Sequence, residues 1–205
     1  MVKVTGSPAR WKVKKHGADK RRTWRKLHLA IDESTNDIHA VELTTNAVSD
    51  ADMVKPLLDD IKQPVAKVGG DGAYDQVKVY QQLEISHIQP LIPPRANAII
   101  WMDQAGNDLV HPRNEAIRQI EVVGLTIWKR QCGYHRRSKA ETAMFRWKAC
   151  FGERLATRLL THQQTETQIK AACLNRFTKL GMPKTVKSNQ HSHATKPYKR
   201  IKAYG

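Results

Sequence analysis

Apolar and polar residues alternate along two neighbouring segments near the start of the chain. Residues 26–32 and 37–45 both follow the two-residue period of a half-buried strand. The residues between them, Glu-Ser-Thr-Asn-Asp, have the composition of a turn. The pattern therefore predicts a β-hairpin.

Beyond the hairpin, helical patterns alternate with short apolar runs. The apolar runs predict strands at 65–69 and 87–92. Helical spacing predicts helices that begin at Ser49 or Asp50 and end near 61, and at 75–83, 114–121, 138 to at least 151, and 163–180. The element order is then β-β-α-β-α-β-α-α-α. It predicts an α/β fold in which helices flank a mixed sheet.

One helical segment combines an apolar face with a polar line. Four polar residues fall on one stripe, because a helix turns about 100° per residue: Tyr134, Arg137, Glu141 and Lys148. The apolar face beside it consists of Ala140, Ala143, Met144, Trp147 and Phe151. A carboxylate next to the buried face of a helix and close to Arg and Lys side chains is of the kind that binds metal ions and acts on phosphates. The alternative is a solvated face with an ordinary ion pair between Arg137 and Glu141.

A second candidate acid, Asp71, follows the predicted strand at 65–69. Ligands collect at the carboxyl ends of strands in α/β sheets. Gly70 and Gly72 on either side of Asp71 would let a metal or a phosphate approach the backbone. The alternative is a simple turn at the strand exit.

The composition limits the classes of partner that the protein is expected to bind. The chain has 205 residues, 40% of them hydrophobic, and a formal net charge of +16. A core of useful size is therefore expected, and the charge favours nucleic acid as the partner, with a membrane surface as the weaker alternative. There is no apolar run of 18 residues and no apolar signal segment at the N-terminus, so we expect a cytoplasmic protein without a membrane span.

The three cysteines indicate neither a disulfide framework nor a zinc site. Cys132, Cys150 and Cys173 are odd in number and widely spaced. Cys132 and His135 lack a second pair of zinc ligands. Cys150 is expected to be a small core residue.

Nine cations lie between residues 10 and 26 and predict an arm that contacts phosphates. The alternative is a solvated, flexible loop. The candidate DNA contacts in this arm are Lys14, Lys15, Arg21, Arg22, Arg25 and Lys26. The expected organisation is a basic arm (1–25), a domain that carries the candidate acids (26–160), a C-terminal helix (161–182) and a basic, disordered tail (183–205).

Three blocks of the sequence together resemble the DDE transposases of the IS4/IS5 type, most closely the IS5 branch. The signature Tyr134-x2-Arg137-x3-Glu141-x6-Lys148 is the most specific of them. Gly-Asp-Gly-Ala-Tyr-Asp at 70–75 is similar to the block around that family's second acid, and residues 11–30 are similar to the segment joining its first two strands. The resemblance covers about residues 2–180.

The resemblance implies an RNase H-like fold with three carboxylates that bind two Mg²⁺ ions, with Mn²⁺ as a possible substitute. It implies cleavage of the transposon end by metal-bound water and attack of the freed 3′ hydroxyl on target DNA. Asp71 would be the second acid and Glu141 the third, both metal ligands. Tyr134, Arg137 and Lys148 would contact the DNA backbone. By the same resemblance we expect a homodimer associated with the nucleoid.

The first acid of the family has no counterpart in this sequence. In the family it ends the first, central strand, ahead of the part that resembles residues 2–4, and here no Asp or Glu precedes Asp19. We therefore expect an N-terminally truncated chain, a sheet without its central strand, and impaired activity. Asp32, at the end of a predicted strand, is an alternative first acid, although its position in the resemblance makes it a hairpin-turn residue.

Two other functions remain open at this point. The first is a non-catalytic, basic DNA-binding protein, either a remnant or an inhibitor of a transposase. The second is a structural RNA-associated protein, which gives no reason for one acid within a basic helical stripe.

Overall fold

The computed structural model describes the backbone of residues 2–7 and then residues 24–181, without the side chain of Arg137. The predicted basic tail lies outside the described residues. The strands are β1 (Val2–Ser7), β2 (Arg25–Asp32), β3 (Ile38–Thr45), β4 (Lys67–Gly69) and β5 (Gln89–Leu91). The helices are α1 (Val54–Asp59), α2 (Val77–Ile85), α3 (Pro112–Val123), α4 (Leu125–Gln131), α5 (Ser138–Phe151) and α6 (Leu160–Leu180). Single 3-10 turns lie at Ala51–Met53, Gly72–Tyr74 and Tyr134–Arg137.

The five strands form one mixed sheet in the order β3-β2-β1-β4-β5. β1 is antiparallel to β2, parallel to β4, and central. β2 and β3 form the predicted hairpin, and β4 and β5 are parallel to each other. The mixed α/β architecture expected from the sequence is confirmed.

The expectation of a sheet without its central strand is wrong for the described chain. Val2–Ser7 pairs along β2 on one side, and its first two residues pair with Val68 and Gly69 of β4 on the other. This position satisfies backbone hydrogen-bonding groups of both neighbours, which would otherwise be exposed sheet edges. The predicted basic arm over residues 1–25 thus begins with a strand, and residues 8–23 of it lie outside the described residues.

Each face of the sheet carries its own hydrophobic core. β2 alternates, so that Leu27, Leu29 and Ile31 face one core while Ala30 faces the other. α1 and α2 cover the Ala30 side, and α5 and α6 cover the Leu29 side. A change of register between Ala30 and Ile31 leaves His39 as an extra residue in β3.

The predicted apolar face of α5 is confirmed. Ala140, Ala143, Met144 and Trp147 are all buried against β2, β3 and α6. The prediction for Cys150 is wrong, because its side chain is exposed. The apolar stripe runs through Trp147 and leaves position 150 to the side.

The observed helices differ from the predicted ones at two places. Gly124, with a φ of 82°, ends α3 as expected, but α4 follows it immediately and was not predicted. Tyr134 and Arg137 lie in a 3-10 turn rather than in α5. The four-residue polar stripe is therefore divided between two elements, with Glu141 and Lys148 on α5.

The outer edge of the sheet, β3, is covered by α6. The Asn175 side chain accepts a hydrogen bond from the Ile38 backbone N–H and donates one to the Ile38 carbonyl, both at 2.8 Å. Further along, the Gln164 amide donates to the carbonyl of Leu43 at 3.3 Å. Among the described residues, no helix is both long and apolar enough to cross a membrane.

One histidine of the hairpin is enclosed within the protein. His28 is fully buried, its Nε2 lies 2.9 Å from the Thr44 hydroxyl, and its Nδ1 lies 3.6 Å from an Asp50 carboxylate oxygen. Lys26 approaches the same Asp50 oxygen at 3.5 Å. Burial lowers the pKa of His28 to about 4, even though Asp50 opposes that shift.

We expect Trp147→Ala to destabilise the fold strongly, because Trp147 is fully buried between α5 and the sheet. Removing a buried tryptophan costs about 3–5 kcal/mol of unfolding free energy. Urea unfolding measures it. Phe145→Ala, on the same helix but 71% exposed, is the control and should change stability by less than about 0.5 kcal/mol. Equal losses in both variants would contradict the assigned orientation of α5.

The buried His28 predicts a loss of stability in mild acid. Its folded pKa of about 4 is below the ordinary value of 6.5, so the unfolded chain binds the proton more readily. The stabilisation by neutral His28 is complete above pH 6.5 and is lost as the pH falls towards 4. The difference in unfolding free energy between wild type and His28→Gln should shrink by roughly 2–3 kcal/mol over that range. Parallel pH curves for the two proteins would contradict this.

Candidate active site

The loop that carries Asp71 leaves the sheet at the carboxyl end of β4, as the sequence predicted. Gly70 N–H donates to the Leu91 carbonyl at 3.2 Å, which continues the β4–β5 pairing for one more residue. Gly70 is buried, and a Cβ built on it would lie 2.8 Å from Cδ2 of Tyr74. A glycine is therefore required at position 70 so that the Tyr74 ring can pack under the loop.

Asp71 is half-buried and is oriented by its own loop. It is the N-cap of the 3-10 turn Gly72–Tyr74, and its Oδ1 accepts a hydrogen bond from the Ala73 N–H at 2.9 Å. The Tyr74 N–H donates to the Asp71 carbonyl at 3.0 Å. A carboxylate held in this way at a strand end has hard oxygen donors of the kind that Mg²⁺ prefers.

Glu141 lies in the first turn of α5 and is exposed. The buried face of α5 fixes the direction of the helix and leaves Glu141 on the outer side. Lys148, seven residues on, pairs with Glu153 at 3.4 Å. Tyr134, in the preceding 3-10 turn, has the Lys129 ammonium 5.3 Å from its ring centroid.

The turn that leads into α5 lies near the start of β4. Lys67, the first residue of β4, lines a cavity of about 260 Å³ together with Glu33, Gly133 and Arg136. Asp71 lies two residues beyond Gly69, the last residue of β4. Within the described part of the chain, no group of three or more His, Cys, Asp and Glu residues lies close enough to hold a metal ion.

The two candidate DNA contacts at the start of β2 also make contacts within the protein. Arg25 Nε donates to the Gln163 side chain at 3.1 Å, and Lys26 Nζ donates to the Val48 carbonyl at 2.9 Å. Both link β2 to neighbouring elements. Lys14, Lys15, Arg21, Arg22 and the side chain of Arg137 lie outside the described residues.

Asp32 closes the β2–β3 hairpin, as the turn interpretation predicted. Its Oδ1 accepts hydrogen bonds from the backbone N–H groups of Ser34 and Thr35, at 2.6 and 3.1 Å, and from the Ser34 hydroxyl. The desolvation of Asp32 opposes these hydrogen bonds, which together hold the pKa of its carboxyl below the ordinary value. The described contacts of Asp32 therefore belong to the turn.

Sequence reasoning missed a buried ion pair beside the Asp71 loop. Arg113 Nε donates to Asp75 Oδ1 at 2.6 Å, and both side chains are almost completely buried. Asp75 lies in the Gly-Asp-Gly-Ala-Tyr-Asp block, but 38 positions separate it from Arg113, so no local pattern indicates the pair. The sequence feature that could have indicated a buried partner is the strongly polar start of α3, which is Pro-Arg-Asn-Glu after His111.

Gly70→Ala should destabilise the protein, because the new methyl group would overlap the Tyr74 ring. Overpacking of this kind costs about 1–3 kcal/mol. The matched control is Gly72→Ala, two residues away, where the nearest atom, the Pro93 carbonyl oxygen, would be 3.8 Å from the Cβ. Chemical denaturation should separate the two variants clearly. Equal stability of both would contradict the close packing of Tyr74 on Gly70.

Comparison with known proteins places the chain in a family. A family model described as "Transposase DDE domain" matches residues 1–176. Among solved structures, the chain is similar to the piggyBac transposase in a cryo-EM synaptic complex with hairpin DNA, with a TM-score of 0.49 and 10% sequence identity. That match covers 86% of this chain and 46% of the other, so the chain spans less than half of that transposase's length. Because the family model covers most of the sequence, the chain belongs to the DDE transposase family.

Proposed function

We propose that this chain is the catalytic domain of an IS5-type insertion-sequence transposase, which cleaves DNA and transfers strands with Mg²⁺ or Mn²⁺. The observation that carries the proposal is Asp71, a loop-oriented carboxylate at the carboxyl end of β4 within the family match. Its position is the one in which an α/β sheet collects ligands. A homodimer acting on the two transposon ends belongs to the same proposal.

The arrangement of the sheet supports an RNase H-like fold. The family resemblance implies a central strand, and β1 is central here. Asp71, matched to the second acid, follows β4, which is parallel to β1. Glu141, matched to the third acid, lies on α5, whose apolar face packs against the sheet.

The described residues fit a divalent metal only in part. Asp71 and Glu141 are suitable ligands by chemistry, but the central strand β1 (Val-Lys-Val-Thr-Gly-Ser) contains no acid. Bound Mg²⁺ would activate the attacking oxygen and stabilise the leaving oxygen of a phosphodiester. Among the described residues no third ligand completes a metal-binding group, and we therefore propose that the cleavage activity of this chain is impaired.

DNA binding draws on the excess of cations over acids, 35 against 19. Among the described residues, Arg130 in the last turn of α4 and Arg136 in the 3-10 turn before α5 are exposed, in the segment that leads to Glu141. Tyr134, Arg137 and Lys148 would contact the DNA backbone near the scissile bond. Affinity for any duplex should fall steeply with salt, because each neutralised phosphate releases counterions.

The second candidate is a DNA-binding protein without catalytic activity. It is favoured by the absence of an acid from β1 together with the net charge of +16. Such a protein would occupy transposon or target DNA through phosphate contacts that carry little sequence information. It would use the same cations but would have no need of Asp71 or Glu141.

Charge-removing variants separate the two candidates. Asp71→Asn and Glu141→Gln should each weaken Mn²⁺ binding about tenfold, roughly 1.4 kcal/mol, while duplex affinity stays the same or rises. The measurements are calorimetric Mn²⁺ titration and fluorescence anisotropy with a labelled duplex. Glu115→Gln, an exposed acid on α3, is the control and should leave Mn²⁺ binding unchanged.

Two results would contradict the proposal. If Asp71→Asn and Glu141→Gln titrate with Mn²⁺ like Glu115→Gln, neither acid is a ligand, and the non-catalytic candidate becomes the better description. If this polypeptide cleaves transposon-end DNA in Mg²⁺ as fast as a complete member of the family, the proposed impairment is wrong.

A further inference from the structure

The second aspartate of the Gly-Asp-Gly-Ala-Tyr-Asp block has a different environment from the first. The Asp75 side chain is 1% exposed, and its partner Arg113 is 6% exposed. Asp75 Oδ1 accepts hydrogen bonds from Arg113 Nε at 2.6 Å and from the Tyr80 hydroxyl at 3.2 Å. Its Oδ2 accepts from the Arg95 backbone N–H at 2.9 Å.

Both carboxylate oxygens of Asp75 are therefore engaged by protein donors. A metal ion could reach them only if a buried ion pair were broken, which would leave the Arg113 charge without a partner. Asp75 is thus excluded as a metal ligand in this conformation, although it lies only four positions from Asp71.

Asp75 is connected to Asp71 through a short, closed turn. The Asp75 N–H donates to the Gly72 carbonyl at 3.3 Å, and the turn between them is capped by Asp71 itself. Arg95 joins the two ends of the turn. Its backbone N–H binds Asp75 Oδ2, and its Nε donates to the Gly72 carbonyl at 3.1 Å. A shift of Asp75 would therefore move the turn that orients the Asp71 carboxylate.

The other side of the ion pair is fixed to the polypeptide beyond β5. Arg113 NH1 donates to the Ile99 carbonyl at 2.8 Å, and its guanidinium stacks 4.3 Å from the Trp101 ring centroid. The next residue, Asn114, is fully buried; it accepts from the Trp101 N–H and donates to the carbonyls of Trp101 and Leu109. Arg113 is thus held at the start of α3 independently of the Asp71 loop.

We propose that Asp75 is a positioning residue that, through Arg113 and Arg95, holds the Asp71 turn in the orientation needed for metal and phosphate binding. The proposal rests on the proposed function, because it takes Asp71 as a metal ligand. It assigns different roles to the two aspartates of one motif, with Asp71 as the ligand and Asp75 as the anchor of its turn.

The test compares Asp75→Asn with a variant that is destabilised elsewhere. Asn keeps the shape of the side chain but removes the charge that pairs with Arg113. Leu174→Ala, in the other core beneath α6, is the control, since it creates a cavity far from the Asp71 loop. Thermal unfolding of the full chain establishes that the control loses at least as much stability as Asp75→Asn.

Two readouts are made on the folded proteins. Mn²⁺ titration should show about tenfold weaker binding for Asp75→Asn and unchanged binding for Leu174→Ala. Amide hydrogen exchange of Ala73 and Tyr74, whose N–H groups bond to Asp71, should be at least tenfold faster in Asp75→Asn than in the control. Adding Arg113→Gln, which removes the unpaired charge and leaves a neutral hydrogen-bonded pair, should recover part of both losses.

The proposal is overturned if Asp75→Asn and Leu174→Ala give the same exchange rates at Ala73 and Tyr74, because the effect of Asp75 would then be general stability alone. Failure of the proposed function gives a different result. In that case Asp71→Asn leaves Mn²⁺ binding unchanged, while the exchange comparison still decides whether Asp75 holds the turn.

Discussion

The pairing of β1 with both of its neighbours holds the two halves of this fold together. On one side lies the β2–β3 hairpin with α5 and α6, and on the other lie β4 and β5 with the segments that follow them. Each half contributes one candidate acid, Glu141 from the first and Asp71 from the second. The register of β1 against β2 and β4 therefore sets how far apart the two acids lie.

The register of β1 also fixes the levels of the elements on either side of it. Val2 pairs with Asp32 on one side and with Val68 on the other. The end of β2 therefore lies level with the middle of β4, and Glu33 and Lys67, on either side of β1, line one cavity with the turn before α5. Asp71, two residues beyond the other end of β4, is held by its own turn. The central strand that joins these elements carries no acid of its own.

Local patterns predicted the elements whose periodicity reflects burial. The hairpin, the apolar face of α5 and the exit of Asp71 from β4 each follow from the nearest ten or so residues. The central position of β1 could not be predicted in this way, because it depends on what two distant strands leave unpaired. The Asp75–Arg113 pair could not be predicted for a similar reason, since its members are 38 positions apart and neither stands out among its neighbours. The 3-10 turn at Tyr134–Arg137 follows Gly133, whose φ of 71° is available because it is a glycine.

The amide side chains that cover β3 have a further effect on how this sheet behaves among other molecules. An uncovered edge strand is a template on which another polypeptide can add a strand. Asn175 presents to Ile38 the same donor and acceptor that a neighbouring strand would present. The ladder of backbone hydrogen bonds therefore ends at this side chain, on which no further strand can add. Strand addition at the hairpin side of the sheet is thus blocked at Ile38, so an assembly of this chain into larger complexes would use other surfaces than that edge.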